Sequence, residues 1–188
     1  MNRFYLRITI AVAALFVLLF GASAWLTPAP RLLWNASESA PVGLYRIDTN
    51  AVPRVGDLVA IMPPAQLAAF FARRQYLPQG VPLLKRIAAT RGARVCRSGA
   101  FVSVGGVTVA RALARDRADR PLPIWQGCRS LHDDEVFVIN AAPGSLDSRY
   151  FGPLPAAGLI GTAHPVLTRD APGSRLRLRL SVRDKAER

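Results

Sequence analysis

The stretch VPLLKRIAATRGARVCRSGAFVSVGGVTVA, residues 81–110, decides the fold class of this chain. It begins with an apolar strand, VPLLKRIAA, and continues into a predicted β-hairpin over residues 93–110, with Gly105 and Gly106 as its tight turn. The segments LYRID, RVGDLVAIMP, EVFVIN and GLIGTAHPVL are further short strand candidates. The sequence therefore predicts a mostly β domain built from short strands.

One helix and one basic strand complete the predicted domain. AQLAAFFARRQYL, residues 65–77, has Ala, Leu and Phe at helical spacing and is the short helix that we expect. RLRLRLSV, residues 175–182, alternates Arg and Leu with a period of two, which predicts a half-buried strand with a basic outer face. The polar, proline-containing segment 111–127 is predicted to be a loop.

The N-terminus carries a segment that is apolar enough to enter a membrane. Residues 8–26 contain no charge, and at 1.5 Å per residue they nearly span a bilayer core of roughly 30 Å. Arg3 and Arg7 precede this segment, which predicts a cytoplasmic N-terminus and an exported body. Ala22-Ser23-Ala24 is also a small-x-small cleavage pattern, so a cleaved signal peptide is the alternative to an anchor.

Both alternatives predict the same division of the chain. Residues 1–27 form a membrane anchor or signal segment, and residues 28–188 form an exported β-rich domain. With an anchor, the protein lies in the inner membrane with this domain in the periplasm. With a cleaved signal, the domain is secreted to the periplasm.

The charge of the chain is strongly positive, at +13. The arginines are scattered and no nucleic-acid-binding motif accompanies them, so we expect a membrane surface as the anionic partner and no nucleic acid. Of the 25 basic residues only Lys85 and Lys185 are lysines, and Lys185 lies in the polar C-terminal tail. Lys85 is therefore the only lysine in the body of the protein, and unlike Arg it can lose its proton near neutral pH when desolvated.

Cys96 and Cys128 are the only cysteines, and in an exported protein an even number favours a disulfide. Metal binding would need more ligands, and His132 and His164 show no ligand spacing with the cysteines. We therefore expect no metal and no cofactor.

Three segments carry residues suited to catalysis. In PLLKRIA, Lys85 shares a strand face with Leu83 and Ile87, so an inward face would desolvate the amine and lower its pKa. Such an amine can act as a general base for a serine hydroxyl, and Ser39 lies in SAPVGLY, on a loop restricted by Pro and Gly. The alternatives are a snorkelling lysine and a serine that caps a turn.

The third segment is GSLDSRYFG, residues 144–152. Asp147 and Arg149 are close enough in sequence to pair or to brace the loop, and a hydroxyl here could orient a neutral lysine. A Ser-His-Asp triad using His132 or His164 is a further alternative.

Four motifs in this order resemble the type I signal peptidase superfamily and, more narrowly, the TraF-type conjugative transfer peptidases. They are SAPVGLY, RVGDLVAI, LLKRIAATRGARV and GSLDSRYFGPL, and the resemblance covers roughly residues 30–165. INAAPGS stands where general signal peptidases have a Gly-Asp-Asn stretch, and the Met that follows their nucleophile is absent. Both departures fit the TraF-type branch.

The resemblance implies a signal-peptidase-like antiparallel β-sheet domain and a role for each matching residue. Ser39 matches the nucleophile, Lys85 the general base, Ser145 the hydroxyl that orients the lysine, Asp147 and Arg149 the structural acid-base pair, and Ser37 an oxyanion-hole hydroxyl.

The activity that the resemblance implies is that of a serine endopeptidase with a Ser/Lys dyad. Its substrate would be a membrane-emerging, pilin-like precursor cut after small residues, for conjugative transfer or type IV secretion. Two alternatives stay open: a housekeeping type I signal peptidase, and a non-catalytic membrane-anchored scaffold of a transfer complex.

Overall fold

The structure is a computed structural model that describes residues 3–26, 31–171 and 173–179. The chain divides into two compact units, Met1–Pro30 and Arg31–Arg188. The described elements, in chain order, are α1 (Arg3–Leu26), β1 (Leu32–Asn35), β2 (Gly43–Asp48), β3 (Leu58–Ile61), α2 (Ala65–Arg73), β4 (Leu83–Ala89), β5 (Arg94–Ser98), β6 (Phe101–Val104), β7 (Val107–Arg111), β8 (Gly127–Ser130), β9 (Glu135–Val138), α3 (Ser148–Phe151), β10 (Leu154–Pro155), a 3-10 turn (Ala156–Gly158), β11 (Leu159–Thr168) and β12 (Arg177–Leu178).

The first unit contains the predicted apolar helix. Within the described residues, Arg3–Ala22 is one helical segment long and apolar enough to cross a membrane, with a mean hydropathy of 2.2. The helix is consistent with a membrane-anchored protein. A signal peptide would form the same helix, so the choice between anchor and cleaved signal stays a prediction.

The second unit is mostly β and antiparallel, as the sequence predicts. One sheet has the strand order β1-β2-β11-β3-β4-β9-β10, with β12 added to β11, and the other has the order β7-β6-β5-β8. Every strand pair in both sheets is antiparallel.

Strand β4 lies inside the larger sheet and has apolar clusters on both faces. Leu83 and Ile87 belong to a buried cluster that also contains Phe71 of α2. Leu84 belongs to a second cluster, with Tyr45 and other side chains. A strand covered on both faces reads as a nearly continuous apolar run, which explains the composition of LLKRIAA and makes Lys85 conspicuous within it.

Two predicted elements differ from the structure in their extent. The predicted hairpin over residues 93–110 contains three strands, β5 to β7, because the chain also turns at Gly99, where φ is +58°. The predicted helix over residues 65–77 ends at Arg73, two residues before Gln75 takes up a φ of +58°. The turn at Gly105 and Gly106 is confirmed, since both residues have positive φ and connect β6 to β7.

The half-buried basic strand predicted over residues 175–182 is wrong for its described part. Only Arg177–Leu178 pairs as a strand, and both of these residues are exposed. Leu178 keeps 63% of its surface, so the Arg-Leu alternation reflects no buried face here. Residues 180–182 lie outside the described part of the chain.

The predicted disulfide is confirmed. Cys96 on β5 and Cys128 on β8 face each other directly across the smaller sheet and are bonded. In this antiparallel register the two side chains lie on the same face, within bonding reach.

Gly43 allows β2 to lie close to β11. A Cβ atom built on Gly43 would lie 2.0 Å from the carbonyl oxygen of Leu167 and 2.7 Å from Cα of Thr168. Both atoms belong to backbone and cannot move aside as a side chain would. We expect Gly43→Ala to lower the free energy of unfolding by about 1–3 kcal/mol, the usual cost of overpacking.

Chemical denaturation of the two proteins measures this loss. Gly144→Ala is the control, because a Cβ there meets nothing within 4 Å and we expect no comparable loss. A Gly43→Ala protein as stable as the parent would show that β11 can move away from β2 without cost.

Candidate active site

Lys85 is buried in the second unit, with only 3% of its surface exposed. Its Nζ donates a hydrogen bond of 2.8 Å to Oγ of Ser145. Burial disfavours the charged amine and lowers the pKa of Lys85 to about 8, the charge of Asp147 acts to raise it, and that of Arg149 to lower it. The desolvation expected from the strand pattern is confirmed, and the snorkelling alternative is wrong.

The loop that supplies Ser145 is braced by a buried ion pair. Asp147 Oδ1 accepts hydrogen bonds from Nε and from the backbone N–H of Arg149, at 2.8 and 3.1 Å. Both side chains are almost completely buried, at 2% and 0% exposure for Arg149 and Asp147. Asp147 also caps the N-terminus of α3, so the pair and the cap together hold the loop in one conformation.

Asn140 connects this loop to the strand that carries Lys85, and sequence reasoning missed it. Its side-chain Oδ1 accepts from the N–H of Arg86 at 2.9 Å, and its Nδ2 donates to the carbonyl of Leu84 at 3.0 Å. The two backbone groups flank Lys85 in the chain. The backbone N–H of Asn140 donates to Asp147 Oδ2 at 3.1 Å, which ties the same residue to the ion pair.

The SAPVGLY motif spans the end of the loop between β1 and β2 and the start of β2, and Ser39 lies in its loop part. Ser39 is half-buried, and its Oγ lies 2.9 Å from Oγ of Ser37. Tyr45, the last residue of the motif, donates its hydroxyl to the carbonyl of Pro41 at 2.7 Å. This hydrogen bond connects the strand end of the motif, at Tyr45, to its loop part, at Pro41.

Ser39 and Lys85 line one cavity of about 300 Å³. Ser37 lines it as well, whereas Ser145 lies behind Lys85 and is not part of the lining. The other lining residues are Asn35, Ala36, Tyr76, Leu77, Pro78, Val81, Pro82, Leu83 and Leu84. The cavity thus brings together a hydroxyl and a buried amine that are 46 positions apart in the sequence, beside a largely apolar wall.

Tyr76, which lines the cavity, is held in place by Asp116 on the loop between β7 and β8. Tyr76 donates its hydroxyl to Oδ2 of Asp116, and Arg120 Nε donates to the same oxygen at 2.7 Å. Burial alone would raise the pKa of Asp116, but the hydrogen bonds from Tyr76 and Arg120 outweigh it and hold the pKa well below its usual range. Sequence reasoning treated this segment only as a loop.

The histidines lie apart from this cavity. Both are among the described residues, and neither lines it. His132 is exposed, and His164 Nε2 lies 3.2 Å from Oγ1 of Thr162. The structure therefore contradicts a triad that joins either histidine to Ser39. Across the described ranges, no three His, Cys, Asp or Glu residues are grouped so that they could hold a metal ion.

Ser145→Ala should impair the orientation of Lys85 without impairing substrate binding. Loss of one hydrogen bond to the amine, about 1.5–3 kcal/mol, should lower kcat about 10- to 100-fold. KM should stay nearly constant because Ser145 does not line the cavity. Steady-state kinetics of the parent and of Ser145→Ala measures both constants.

Ser148→Ala is the matched control for this prediction. Ser148 is the buried first residue of α3, directly after the loop that carries Ser145, and its Oγ accepts from the backbone N–H of Val138 at 3.0 Å. We expect that variant to lose stability and to keep kcat. Equal kcat losses in the two variants would mean that the loop matters as a whole and that the Ser145 hydroxyl has no special role.

Comparison with known proteins gives consistent matches over most of the chain. The family model described as signal peptidase, peptidase S26, matches residues 2–167. A probable conjugal transfer protein TraF from Sinorhizobium fredii is 44% identical over 144 residues, which are 71% of this chain and 76% of the relative. The conjugal transfer protein TraF of Agrobacterium fabrum is 35% identical over 147 residues, or 72% of this chain and 82% of the relative.

A plasmid transfer protein TraF from Escherichia coli is 34% identical over 182 residues, which are 89% of this chain and 99% of the relative. Among solved structures, a signal peptidase I from Enterococcus faecalis V583 is 18% identical with a TM-score of 0.37, and the match covers 60% of this chain and 97% of that one. On the family match and the three TraF relatives, the chain belongs to the signal peptidase family, peptidase S26, as a TraF-type member.

Proposed function

We propose that this protein is a membrane-anchored serine endopeptidase in which Ser39 is the nucleophile and Lys85 the general base. The observation that carries the proposal is a buried lysine, with a pKa lowered to about 8, lining the same cavity as Ser39. An amine with such a pKa is neutral in an appreciable fraction of molecules near neutral pH and can accept a proton.

The reaction proceeds through an acyl-enzyme. Ser39 Oγ attacks the scissile carbonyl carbon while Lys85 Nζ takes the hydroxyl proton. As the C–N bond breaks, Lys85 returns that proton to the leaving amine, and the acyl group remains on Ser39. A water molecule then attacks the ester while Lys85 Nζ takes its proton. The bond between the acyl carbon and Oγ of Ser39 breaks, Lys85 returns the proton to Oγ, and the carboxylate product leaves.

The remaining residues position these two groups and stabilise charge. Ser145 holds Nζ of Lys85, and the buried pair of Asp147 and Arg149 holds the loop that carries Ser145. The backbone N–H of Ser39 and the hydroxyl of Ser37 are the donors that we assign to the oxyanion. One such donor contributes about 2.7–4 kcal/mol in comparable sites.

The substrate in this proposal is a membrane-emerging precursor, cut after small residues such as Ala, in conjugal transfer. The names of the relatives, which refer to conjugal and plasmid transfer, support this role. A pilin-like subunit is the precursor class that we infer. The apolar helix after Arg3 and the disulfide support an exported catalytic unit on the periplasmic side of the inner membrane, close to anionic headgroups.

Processing of a transfer precursor in cells tests the proposal. In a host that lacks this protein, we expect the parent chain to restore cleavage of the precursor. Ser39→Ala and Lys85→Met should not restore cleavage, although each variant is present in the membrane at the level of the parent. Processing by Ser39→Ala would favour the scaffold alternative. Rescue of a strain depleted of its own signal peptidase would favour the housekeeping alternative.

A further inference from the structure

The loop that carries Ser39 is held by a side chain that the proposed mechanism does not use. Asn35 is the last residue of β1 and is buried, at 8% exposure. Its Nδ2 lies 2.9 Å from the carbonyl oxygen of Ser37, 3.0 Å from that of Ala40 and 3.1 Å from that of Pro41. These carbonyls lie on both sides of Ser39 in the chain, so one amide group fixes the backbone before and after the nucleophile.

This arrangement also determines which way the Asn35 amide faces. Carbonyl oxygens only accept hydrogen bonds, so the group that contacts three of them must be the NH₂ of the amide. The amide oxygen then faces the remaining partner, Ser37. Oδ1 of Asn35 accepts from the backbone N–H of Ser37 at 3.2 Å and from its hydroxyl at 3.0 Å.

The direction of the next hydrogen bond follows from proton counting. A serine hydroxyl has one proton, and that of Ser37 is donated to Asn35. In the 2.9 Å contact between the two serine hydroxyls, Ser37 must therefore accept and Ser39 must donate. The Asn35 oxygen thus sets the donor-to-acceptor direction of two consecutive hydrogen bonds, from Ser39 to Ser37 and from Ser37 to Asn35.

We propose that Asn35 is a positioning residue for the nucleophile that acts through the hydroxyl of Ser37, while its bonds to the three loop carbonyls hold the surrounding backbone. The hydrogen bonds from Asn35 through Ser37 hold Oγ of Ser39 at one position at the cavity. The Ser39 proton, which is donated to Ser37 in the free protein, turns to Lys85 when substrate arrives. Oxyanion formation then requires the Ser37 hydroxyl to turn from Asn35 to the substrate oxygen. This proposal depends on the proposed function, because it assigns Asn35 a role in acylation of Ser39.

A double-mutant cycle on the full-length chain tests the proposal. Asn35→Ala, Ser37→Ala and the double variant are compared with the parent for two rates. The first rate is kcat on a quenched fluorogenic peptide with Ala before the cut bond. The second is the rate at which p-nitrophenyl acetate acylates Ser39, which is monitored as the increase in mass of the intact protein. The control is Asn50→Ala, since Asn50 is exposed in the turn after β2.

We expect Asn35→Ala to lower both rates about 10- to 100-fold, as displacement of a reacting group does, with KM changed less than about threefold. In the Ser37→Ala background the same change should cost at least about fivefold less, because the hydroxyl through which Asn35 acts is already gone. The limb of the pH–rate profile that rises through the pKa of Lys85 should not move, since none of the hydrogen bonds described for Asn35 involves Lys85. An equal loss in both backgrounds, a loss confined to KM, or a shifted pH limb would overturn the proposal.

Two further variants keep the outcome interpretable. If Asn35→Ala does not fold, Asn35→Gln retains an oxygen for the Ser37 proton and an NH₂ for the loop carbonyls, and Ser37→Ala should then cost as much in that background as in the parent. A smaller cost would contradict the direction assigned to these hydrogen bonds. Ser39→Ala tests the dyad separately: if it still cleaves the peptide, the proposed function fails, whereas if it is inactive and the cycle is additive, only the role of Asn35 fails.

Discussion

Lys85→Arg is expected to lose nearly all peptidase activity, with kcat lowered by about 10²- to 10⁴-fold, the usual contribution of a general base. Arg keeps the positive charge on a flexible, somewhat longer side chain but cannot release its proton in a protein. A residue that acted only through its charge would therefore tolerate this change. Hydrolysis of the fluorogenic peptide by the full-length chain measures the loss.

The chain offers a matched control for this prediction, because Lys185 is its only other lysine. We expect Lys185→Arg to have the activity of the parent. Lys85→Met removes the amine while filling a similar volume, and should be inactive but folded, which separates loss of the base from loss of the fold. Retention of activity by Lys85→Arg would contradict a Lys85 general base.

Asp147→Asn is expected to destabilise the protein by about 3–5 kcal/mol, because it leaves the guanidinium of Arg149 buried without its counter-charge. The change is nearly isosteric, so it tests charge and not packing. Denaturant unfolding of the two proteins gives the difference directly. Activity should fall as well, since Asp147 holds the loop that carries Ser145.

An exposed ion pair on the same unit provides the control for this prediction. Arg91 and Asp133 lie 3.8 Å apart, with side chains 75% and 86% exposed. We expect Asp133→Asn to change the free energy of unfolding by less than about 0.5 kcal/mol. If Asp147→Asn were equally mild, the buried pair would not brace the loop.

The sequence predicted the strands whose apolar residues alternate or run together, because burial of one or both faces requires those patterns. It did not predict β8, since all four of its residues are exposed and leave no pattern. The end of α2 was also missed, because the positive φ of Gln75 is set by the chain reversal after the helix and not by residue type. The Arg-Leu repeat shows that alternation alone does not bury a face, because Arg177 and Leu178 pair with β11 and still remain exposed.

The site was predictable where chemistry limits the choice of residue. A single lysine in an apolar strand implies either desolvation or snorkelling, and the covering of β4 on both faces selects desolvation. Asn35 and Asn140 could not be found in this way, because each acts on backbone groups that any sequence supplies. Only the three-dimensional path of the chain brings those carbonyls and N–H groups to the two amides.

The pH dependence of kcat/KM for the parent chain, measured between about pH 6 and pH 10, tests the dyad most directly. Neutral Lys85 is the reactive form, so activity should rise with pH through an apparent pKa near 8 and stay constant above it. Lys85→Met should show no such rise over the same pH range. A rise centred near 6.5, the ordinary pKa of histidine, or a profile without a limb near 8 would contradict the assignment of Lys85 as the base.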